Sequence, residues 1–352
     1  MRIGLVAGEA SGDLLGAGLI HELRRRVPGL CCEGVAGPLM QEAGCEAWEE
    51  ADALAVMGLI EPLKEIPRLL RLRSMLKRRW LTRPPDAFVG IDAPDFNLGL
   101  EKALRRSGIP TIHYVSPTVW AWRPGRVHKI ARAADTVLCL LPFEKRFYDA
   151  RDIDAVFVGH PLADAMPVEP DPLEARRRLG IRAGTVLAVL PGSRRNELAR
   201  LAGPFAGACR LLKLRFPELA FVMPVARPGL RALLAQRLTE AGVADCTTLV
   251  DGNAVDAIAA ADLVLLASGT ASLQAALLGR PMVVAYRVAP LTHALVRSFR
   301  LLKTPWIALP NLLTPEPLVP ELLQGRVTAQ SLAEASGALL ADPERRARIS
   351  RA

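Results

Sequence analysis

Short apolar runs alternate with longer helical stretches along almost the whole chain. In the first half the apolar runs are residues 3–7, 34–36, 87–91, 111–115, 136–140 and 156–158, and in the second half they are 185–190, 220–223, 248–250, 262–266 and 282–285. Helical patterns such as 14–26 and 98–107 lie between them. Runs that are apolar throughout are typical of parallel strands buried on both faces of a sheet. The alternation therefore predicts an α/β fold built from doubly wound parallel sheets.

A stretch rich in proline and acidic residues, 161–172, separates two halves that share this rhythm. Such composition is typical of a linker, and 352 residues are enough for two domains. We therefore predict an N-terminal domain of residues 1–165 and a C-terminal domain of residues 166–352. The last helix could pack back on the N-terminal domain.

Charge and cysteine content narrow the class of partner and compartment. Forty-five Lys and Arg residues against 36 Asp and Glu residues give a net charge of +9. This favours a polyanion, a phosphorylated substrate or an acidic membrane surface as partner, without choosing among them. The six cysteines have neither metal-knuckle nor C-x-x-C spacing, which indicates free thiols in a reducing cytosol. No apolar run has the roughly 20 residues of a membrane span, so we expect a cytosolic protein or one that lies on a membrane.

Two glycine-bearing turns, 8–13 and 191–194, each follow a predicted strand and open a helix. A helix N-terminus offers backbone N–H groups and a positive dipole end to an anion. A further hydroxyl-rich turn, 268–272, follows the strand at 262–266. The polar groups of the second half that we expect at a phosphate are Gly192, Ser193, Arg194, Ser268, Gly269, Thr270 and Gln274. No Lys-Thr pair completes a Walker A motif, which argues against ATP chemistry.

Carboxylates and an amide follow the strand at 87–91, where ligands of open parallel sheets bind. Asp92 stands directly at the mouth of that strand, where partial burial can adapt a carboxylate to general-base duty. Asp95 precedes a helical pattern and is explained equally well as a helix cap. Asn97 lies one step further along the same segment.

Aromatic and hydroxyl side chains follow the strand at 111–115. Ser116, Trp120 and Arg123 belong to a platform suited to a sugar or an acyl group, with aromatic packing under a loop as the alternative. Glu9 and Ser11, in the first glycine turn, either cap a helix or bind substrate hydroxyls.

The segment 59–83 combines apolar residues at spacings of three and four with eight basic and only two acidic residues. This composition is typical of a helix in a membrane interface, where apolar burial adds to attraction by anionic lipid. The alternative is a core helix with a solvated basic face. The residues that we expect at the membrane are Ile60, Leu63, Ile66, Leu69 and Leu70.

Nine segments together resemble the lipid-A-disaccharide synthases, bacterial glycosyltransferases of lipopolysaccharide assembly. They are residues 7–13, 34–38, 90–97, 113–123, 141–144, 159–160, 190–194, 267–271 and 309–313, in order over nearly the whole chain. The resemblance implies a GT-B architecture of two Rossmann-like domains facing across a cleft. It implies transfer of 2,3-diacylglucosamine from its UDP derivative to the 6-hydroxyl of 2,3-diacylglucosamine 1-phosphate, with inversion and without metal or cofactor. The products would be the β-1′,6-linked tetraacyl disaccharide 1-phosphate and UDP.

The resemblance also implies a setting and a set of roles. The enzyme would be peripheral on the anionic cytoplasmic face of the inner membrane of a Gram-negative bacterium; a homodimer is left open, and nucleic acid is not among the partners. Asp92 matches the general base. The acceptor wall would include Glu9, Ser11, Asp95, Asn97, Ser116, Trp120 and Arg123. The UDP site would include Gly192, Ser193, Arg194, Glu197, Ser268, Gly269, Thr270, Gln274 and Asn311.

One departure from the family pattern and three alternative functions bear on this resemblance. Gln274 stands where the family usually has a glutamate that contacts the nucleotide ribose, so an uncharged and weaker contact is expected. A UDP-sugar epimerase or a peptidoglycan glycosyltransferase would share the fold, although the apolar basic segment and residues 90–97 argue against both. A dinucleotide-dependent oxidoreductase would need G-x-G-x-x-G, whereas Gly4, Gly8 and Gly12 have the wrong spacing.

Overall fold

The computed structural model describes residues 1–54, 61–121, 124–181, 184–289 and 304–352, with the backbone alone at Ala10 and residues 61–65. The chain divides into two units, Met1–Pro161 and Leu162–Ala352. In each unit the strands are parallel. Among the described helices, none is both long enough and apolar enough to cross a membrane.

The first unit alternates strands and helices as predicted. Its strands are β1 (Arg2–Ala7), β2 (Cys31–Ala36), β3 (Cys45–Glu50), β4 (Ala87–Ile91), β5 (Thr111–Tyr114), β6 (Thr136–Cys139) and β7 (Ala155–Phe157). Its helices are α1 (Glu9–Arg26), α2 (Pro38–Glu42), α3 (Glu61–Thr82), α4 (Pro94–Arg105), α5 (Val127–Ala131) and α6 (Pro142–Asp149). A short helix, α7 (Pro161–Ala165), begins at the last residue of the unit.

The second unit repeats the pattern. Its strands are β8 (Val186–Leu190), β9 (Ala220–Val225), β10 (Thr247–Asp251), β11 (Leu263–Ala267), β12 (Met282–Tyr286) and β13 (Glu321–Leu323). Its helices, numbered over the described residues, are α8 (Pro172–Arg178), α9 (Arg195–Arg215), α10 (Arg231–Glu240), α11 (Ala254–Ala260), α12 (Thr270–Leu277), α13 (Leu309–Leu313), α14 (Ala329–Leu340) and α15 (Pro343–Arg351). Ile349 of α15 packs in the core of this second unit.

Both sheets have the strand order of a Rossmann fold. Over the described residues the order is β3-β2-β1-β4-β5-β6-β7 in the first unit and β10-β9-β8-β11-β12-β13 in the second. The strand order therefore reverses beside the first strand of each sheet, between β1 and β4 in the first unit and between β8 and β11 in the second. These reversals are the points at which ligands of doubly wound sheets bind.

The first sheet is buried on both faces, as its apolar strands predict. Leu5 of β1 packs with α1 and α2, whereas the next residue, Val6, packs with α3 and α4. The C-terminal half of α3 is a core helix, because Leu76 and Trp80 are fully buried. Burial of side chains of this size contributes about 1.5–3 kcal/mol each to stability.

Two strands were missed by the apolar pattern. Strand β3 lies at a sheet edge and carries Glu46, Glu49 and Glu50. Charged residues on an edge strand prevent pairing with another chain, and they also remove the apolar signal. Strand β13 was missed for a different reason, since its three residues are too few to show a pattern.

Candidate active site

A pocket of about 600 Å³ lies where the first sheet reverses direction, beyond the ends of β1 and β4. We call it the Asp92 pocket. Its lining residues are Gly8, Glu9, Leu54, Ile66, Leu69, Leu70, Arg73, Asp92, Ala93, Pro94, Asp95 and Phe96. It thus brings together the predicted base, Asp92, two of the predicted acceptor residues and three of the residues predicted at the membrane.

Asp92 is held at the pocket by the backbone around it. Its N–H donates to the Tyr114 carbonyl at 2.8 Å, and its own carbonyl accepts from Asn97 Nδ2 at 2.8 Å. Asp92 and Ala93 both have positive φ, 52° and 44°, which is uncommon for residues other than glycine. Backbone strain of this kind concentrates at functional sites, and here it aims a half-buried carboxylate beyond the end of β4.

The other two carboxylates of the pocket differ from Asp92. Glu9, exposed at the start of α1, also has a positive φ of 62°. Asp95, in the first turn of α4, is exposed and forms an ion pair with Arg126. Asp92 is therefore the one of the three that combines partial burial with a strained, hydrogen-bonded backbone.

One face of α3 forms a wall of the Asp92 pocket. Ile66, Leu69, Leu70 and Arg73 follow the i, i+3, i+4, i+7 spacing of a helix face, and all four line the Asp92 pocket. Ile66 and Leu70 remain 43% and 45% exposed. The N-terminal part of α3 therefore leaves apolar surface outside the core, whereas Leu76 and Trp80 lie inside it. The core-helix interpretation therefore holds for the C-terminal half of α3, and membrane contact by its N-terminal part stays a prediction.

Asn97 is a brace and not a wall of the pocket. Its side chain is fully buried, and Nδ2 donates to the carbonyls of Val6 (3.3 Å), Ile91 (3.4 Å) and Asp92 (2.8 Å). It therefore holds the β4–α4 turn to the end of β1. Asn97 does not line the Asp92 pocket, and its predicted contact with the acceptor stays a prediction.

Ser116 and Trp120 belong to a buried polar cluster and do not line the Asp92 pocket. The Ser116 hydroxyl lies 3.1 Å from the Tyr148 hydroxyl, and Trp120 Nε1 donates to Glu144 Oε1 at 3.1 Å. Burial raises the pKa of Glu144, against hydrogen bonds from Leu141 N–H, Trp120 and Ser116 that lower it. The alternative of aromatic packing under a loop is the one that the structure favours, since Trp120 also packs edge-on against Phe143 at 4.7 Å.

The remaining predictions for the first unit divide as follows. Ser11 is exposed on α1 and does not line the Asp92 pocket. Ile60 and Arg123 lie outside the described residues, and the side chain of Leu63 is likewise not described.

A second pocket, of about 400 Å³, lies where the sheet of the second unit reverses direction. We call it the 192 pocket. Its lining residues are Leu190, Gly192, Ser193, Glu197, Pro224, Ala226, Gly252, Asn253, Ala254, Ala267, Ser268, Gly269, Thr270, Ala271 and Gln274. Seven of the nine predicted UDP-site residues are among them, and they come from the starts of α9 and α12.

The loop before α9 is shaped by Glu197. Its Oε2 accepts hydrogen bonds from the N–H groups of Ser193 (3.2 Å) and Arg194 (3.3 Å). Gly192 has a φ of 127°, and a Cβ there would lie 2.8 Å from the same Oε2. The two loop amides expected to be free are therefore occupied, which leaves the first-turn amides of α9 as the donors for an anion.

Arg194 and Asn311 do not line the 192 pocket. Arg194 is exposed as the N-cap residue of α9. Asn311 is buried on α13: Nδ2 donates to the Val319 carbonyl at 2.9 Å, and Oδ1 accepts from the N–H groups of Leu318 and Val319 at 2.8 Å. Its amide is therefore engaged with its own loop, and the contacts favour a bracing role over contact with the donor.

Several lining residues were missed, although a signal for some of them exists. Ala226 and Gly252 directly follow β9 and β10, so the rule of strand carboxyl ends could have found them. Asn253, at the start of α11, adopts a φ of 53°. Arg73 could not be recognised from the sequence, because a ligand-binding cation and a solvated cation look alike within a basic helix.

The family is shown by comparison with known sequences. A family profile described as lipid-A-disaccharide synthetase matches residues 3–352. A lipid-A-disaccharide synthase of Sodalis glossinidius is 53% identical over 350 residues, which cover 99% of this chain and 91% of that protein. One of Xanthomonas campestris pv. campestris is 52% identical over 336 residues, covering 95% and 77%.

Solved structures support the fold alone. A UDP-GlcNAc 2-epimerase of Neisseria meningitidis, bound to UDP-GlcNAc, matches with a TM-score of 0.63 at 14% identity over 99% of this chain and 94% of that one. A glycotransferase of kitacinnamycin matches with a TM-score of 0.58 at 19% identity, with the same coverage. At half identity over nearly its whole length, and with the GT-B fold, the chain belongs to the lipid-A-disaccharide synthases, glycosyltransferases of lipid A biosynthesis.

Proposed function

We propose that this chain transfers 2,3-diacylglucosamine from UDP-2,3-diacylglucosamine to the 6-hydroxyl of 2,3-diacylglucosamine 1-phosphate. The observation that carries the proposal is the Asp92 pocket. It combines a strained, half-buried carboxylate with an apolar helix face at Ile66, Leu69 and Leu70. A sugar hydroxyl requires the carboxylate, and an acyl chain requires the apolar wall.

Asp92 acts as the general base. Its carboxylate takes the proton of the acceptor 6-hydroxyl while that oxygen forms a bond to the anomeric carbon of the donor. The bond between that carbon and the UDP oxygen breaks on the opposite face, so the configuration inverts and UDP leaves with the electron pair. Asn97 contributes by holding the Asp92 carbonyl at 2.8 Å.

The 192 pocket holds UDP. The N-terminal amides of α9 and α12 face the charge that develops on the diphosphate as the bond breaks, and preorganised donors of this kind stabilise a leaving group. Arg194, exposed at the start of α9, supplies a guanidinium for the same charge. Gln274 and the hydroxyl of Thr270 line the pocket and are the candidates for the ribose.

Helix α3 places the protein on the anionic cytoplasmic surface of the inner membrane. Outside the Asp92 pocket it carries a shallow groove of about 790 Å³, lined by Leu70, Arg71, Ser74, Met75, Arg78, Arg79, Thr82 and Arg83. Each cation near an anionic surface contributes about 1 kcal/mol to attraction. Leu70 lines both the groove and the pocket, so membrane contact and acyl-chain binding share one helix.

The test is a product assay. The purified chain is incubated with both substrates in detergent micelles and in the presence of EDTA. Formation of the tetraacyl disaccharide 1-phosphate and an equal amount of UDP is the expected result. Folded protein that yields UDP or a rearranged UDP-sugar, without disaccharide, would instead support an epimerase or hydrolase and contradict the proposal.

A further inference from the structure

We infer that Arg73 binds the phosphate of the acceptor sugar within the Asp92 pocket, an inference that rests on the proposed function. Among the described lining residues Arg73 is the one cation, and the others include the carboxylates of Glu9, Asp92 and Asp95. An acceptor that carries both a phosphate and a hydroxyl needs an anion-binding group beside the base. Arg73 is the lining residue with that chemistry.

The guanidinium of Arg73 is available for a ligand. Within the described part of the chain it forms neither a hydrogen bond nor an ion pair, although it is half-buried. By contrast, Arg126 pairs with Asp95, and Arg79 of the same helix pairs with Glu46 at 3.7 Å. A guanidinium without a partner presents its planar fork to a phosphate, and it matches phosphate oxygens bidentately.

The neighbouring helix makes room for this side chain. A Cβ at Gly99 of α4 would lie 2.5 Å from Arg73 Nη1 and 3.1 Å from Cζ. Gly99 therefore admits the guanidinium between α3 and α4, and any side chain there would displace it. The position of the charge depends on both helices of the pocket wall.

The order of residues along α3 fits an amphiphile. Ile66, Leu69 and Leu70 come first on the pocket face, and Arg73 follows one turn later, just before the buried Leu76. Acyl chains along the apolar turns would place a phosphate near this cation. A phosphate could also come from the UDP donor or from a lipid headgroup, and the experiment separates these sources.

The experiment compares two acceptors in uncharged detergent micelles, which contain no anionic lipid headgroup. One is 2,3-diacylglucosamine 1-phosphate, and the other is its methyl glycoside, which lacks the phosphate. For Arg73→Gln we expect kcat/KM on the phosphorylated acceptor to fall about 10- to 100-fold, as for loss of a hydrogen bond to a charged group. On the methyl glycoside it should stay within about twofold, and KM for the UDP-sugar should not change. The matched control is Arg106→Gln, an exposed arginine at the end of α4, which should behave as wild type.

A second variant displaces the guanidinium of Arg73 without removing it. Gly99→Ala improves helix propensity, so the fold is kept, while its Cβ pushes the flexible end of Arg73 aside. It should show the same loss on the phosphorylated acceptor alone, at smaller size. Selectivity equal to wild type in Gly99→Ala would contradict the placement.

The outcomes separate this inference from the proposed function. Equal losses of Arg73→Gln on both acceptors, or a raised KM for the UDP-sugar, would overturn the inference while the transferase activity of the wild type stands. A wild type that makes disaccharide from neither acceptor would overturn the proposed function and this inference with it.

Discussion

Asn97 should couple the stability of the β4–α4 turn to turnover. Asn97→Ala removes the donor of the 2.8 Å bond to the Asp92 carbonyl, the shortest of the three that its side chain makes. The same substitution removes the donor from the buried carbonyls of Val6 and Ile91, and leaving acceptors of this kind unpaired costs about 1–3 kcal/mol. The bond also opposes release of the strain at Asp92 and Ala93, where positive φ angles cost about 1–3 kcal/mol each.

Hydrogen exchange measures this local cost directly, because opening of a segment is governed by its own free energy. At 1.4 kcal/mol per tenfold change, amides of residues 88–97 should exchange about 5- to 100-fold faster in Asn97→Ala. Peptides of the second unit should be unchanged, and kcat should fall about 10- to 100-fold because Asp92 is less well placed. Arg106→Ala is the control and should alter neither. Wild-type exchange in residues 88–97, or wild-type kcat, would refute the bracing role.

Three further predictions concern the α3 surface, the ribose contact and pH. Ile66→Ser with Leu70→Ser should lower co-sedimentation with anionic vesicles several-fold at unchanged thermal stability, because both side chains lie outside the buried core; unfolding would assign them to the core. Gln274→Glu should tighten UDP binding by up to about tenfold in calorimetry, because a charged acceptor strengthens a hydroxyl contact; weaker binding would contradict the ribose assignment. Burial raises the pKa of Glu144 above its usual 4.5, so the folded chain keeps a proton that the unfolded chain has lost, and stability should fall as pH rises above that value. In Glu144→Gln this part of the pH dependence of Tm should disappear, and an unchanged pH dependence would refute the assignment.

The α/β class was predictable because the strands are apolar on both faces. The run predicted at residues 87–91 coincides with β4, and every other predicted run overlaps a strand. The pattern failed at β3, since an edge strand with Glu46, Glu49 and Glu50 gains nothing from burial and carries charge against pairing. The ends of β1 and β4 were identified as the place to look for a site, and the Asp92 pocket lies there.

Individual roles around the pocket were less predictable, because they depend on partners distant in sequence. The sequence predicted Trp120 as part of a sugar-binding platform, whereas its indole nitrogen donates to Glu144. The sequence position of Asn97 predicted contact with a substrate, whereas its side-chain amide donates to the carbonyls of Val6, Ile91 and Asp92. Arg73 is one of eight cations in a basic segment, and it is distinguished by its place in the lining of the Asp92 pocket.

Turnover of Asp92→Asn, measured together with UDP affinity, tests the central claim most directly. Asparagine tolerates the positive φ of 52° at this position, so the turn is retained while the base is lost. We predict that kcat falls about 10²- to 10⁴-fold, the usual contribution of a general base, and that the Kd for UDP is unchanged. Asp95→Asn, at the exposed partner of Arg126, should keep most of the activity. Turnover of Asp92→Asn within tenfold of wild type would contradict the account and move the base to another residue.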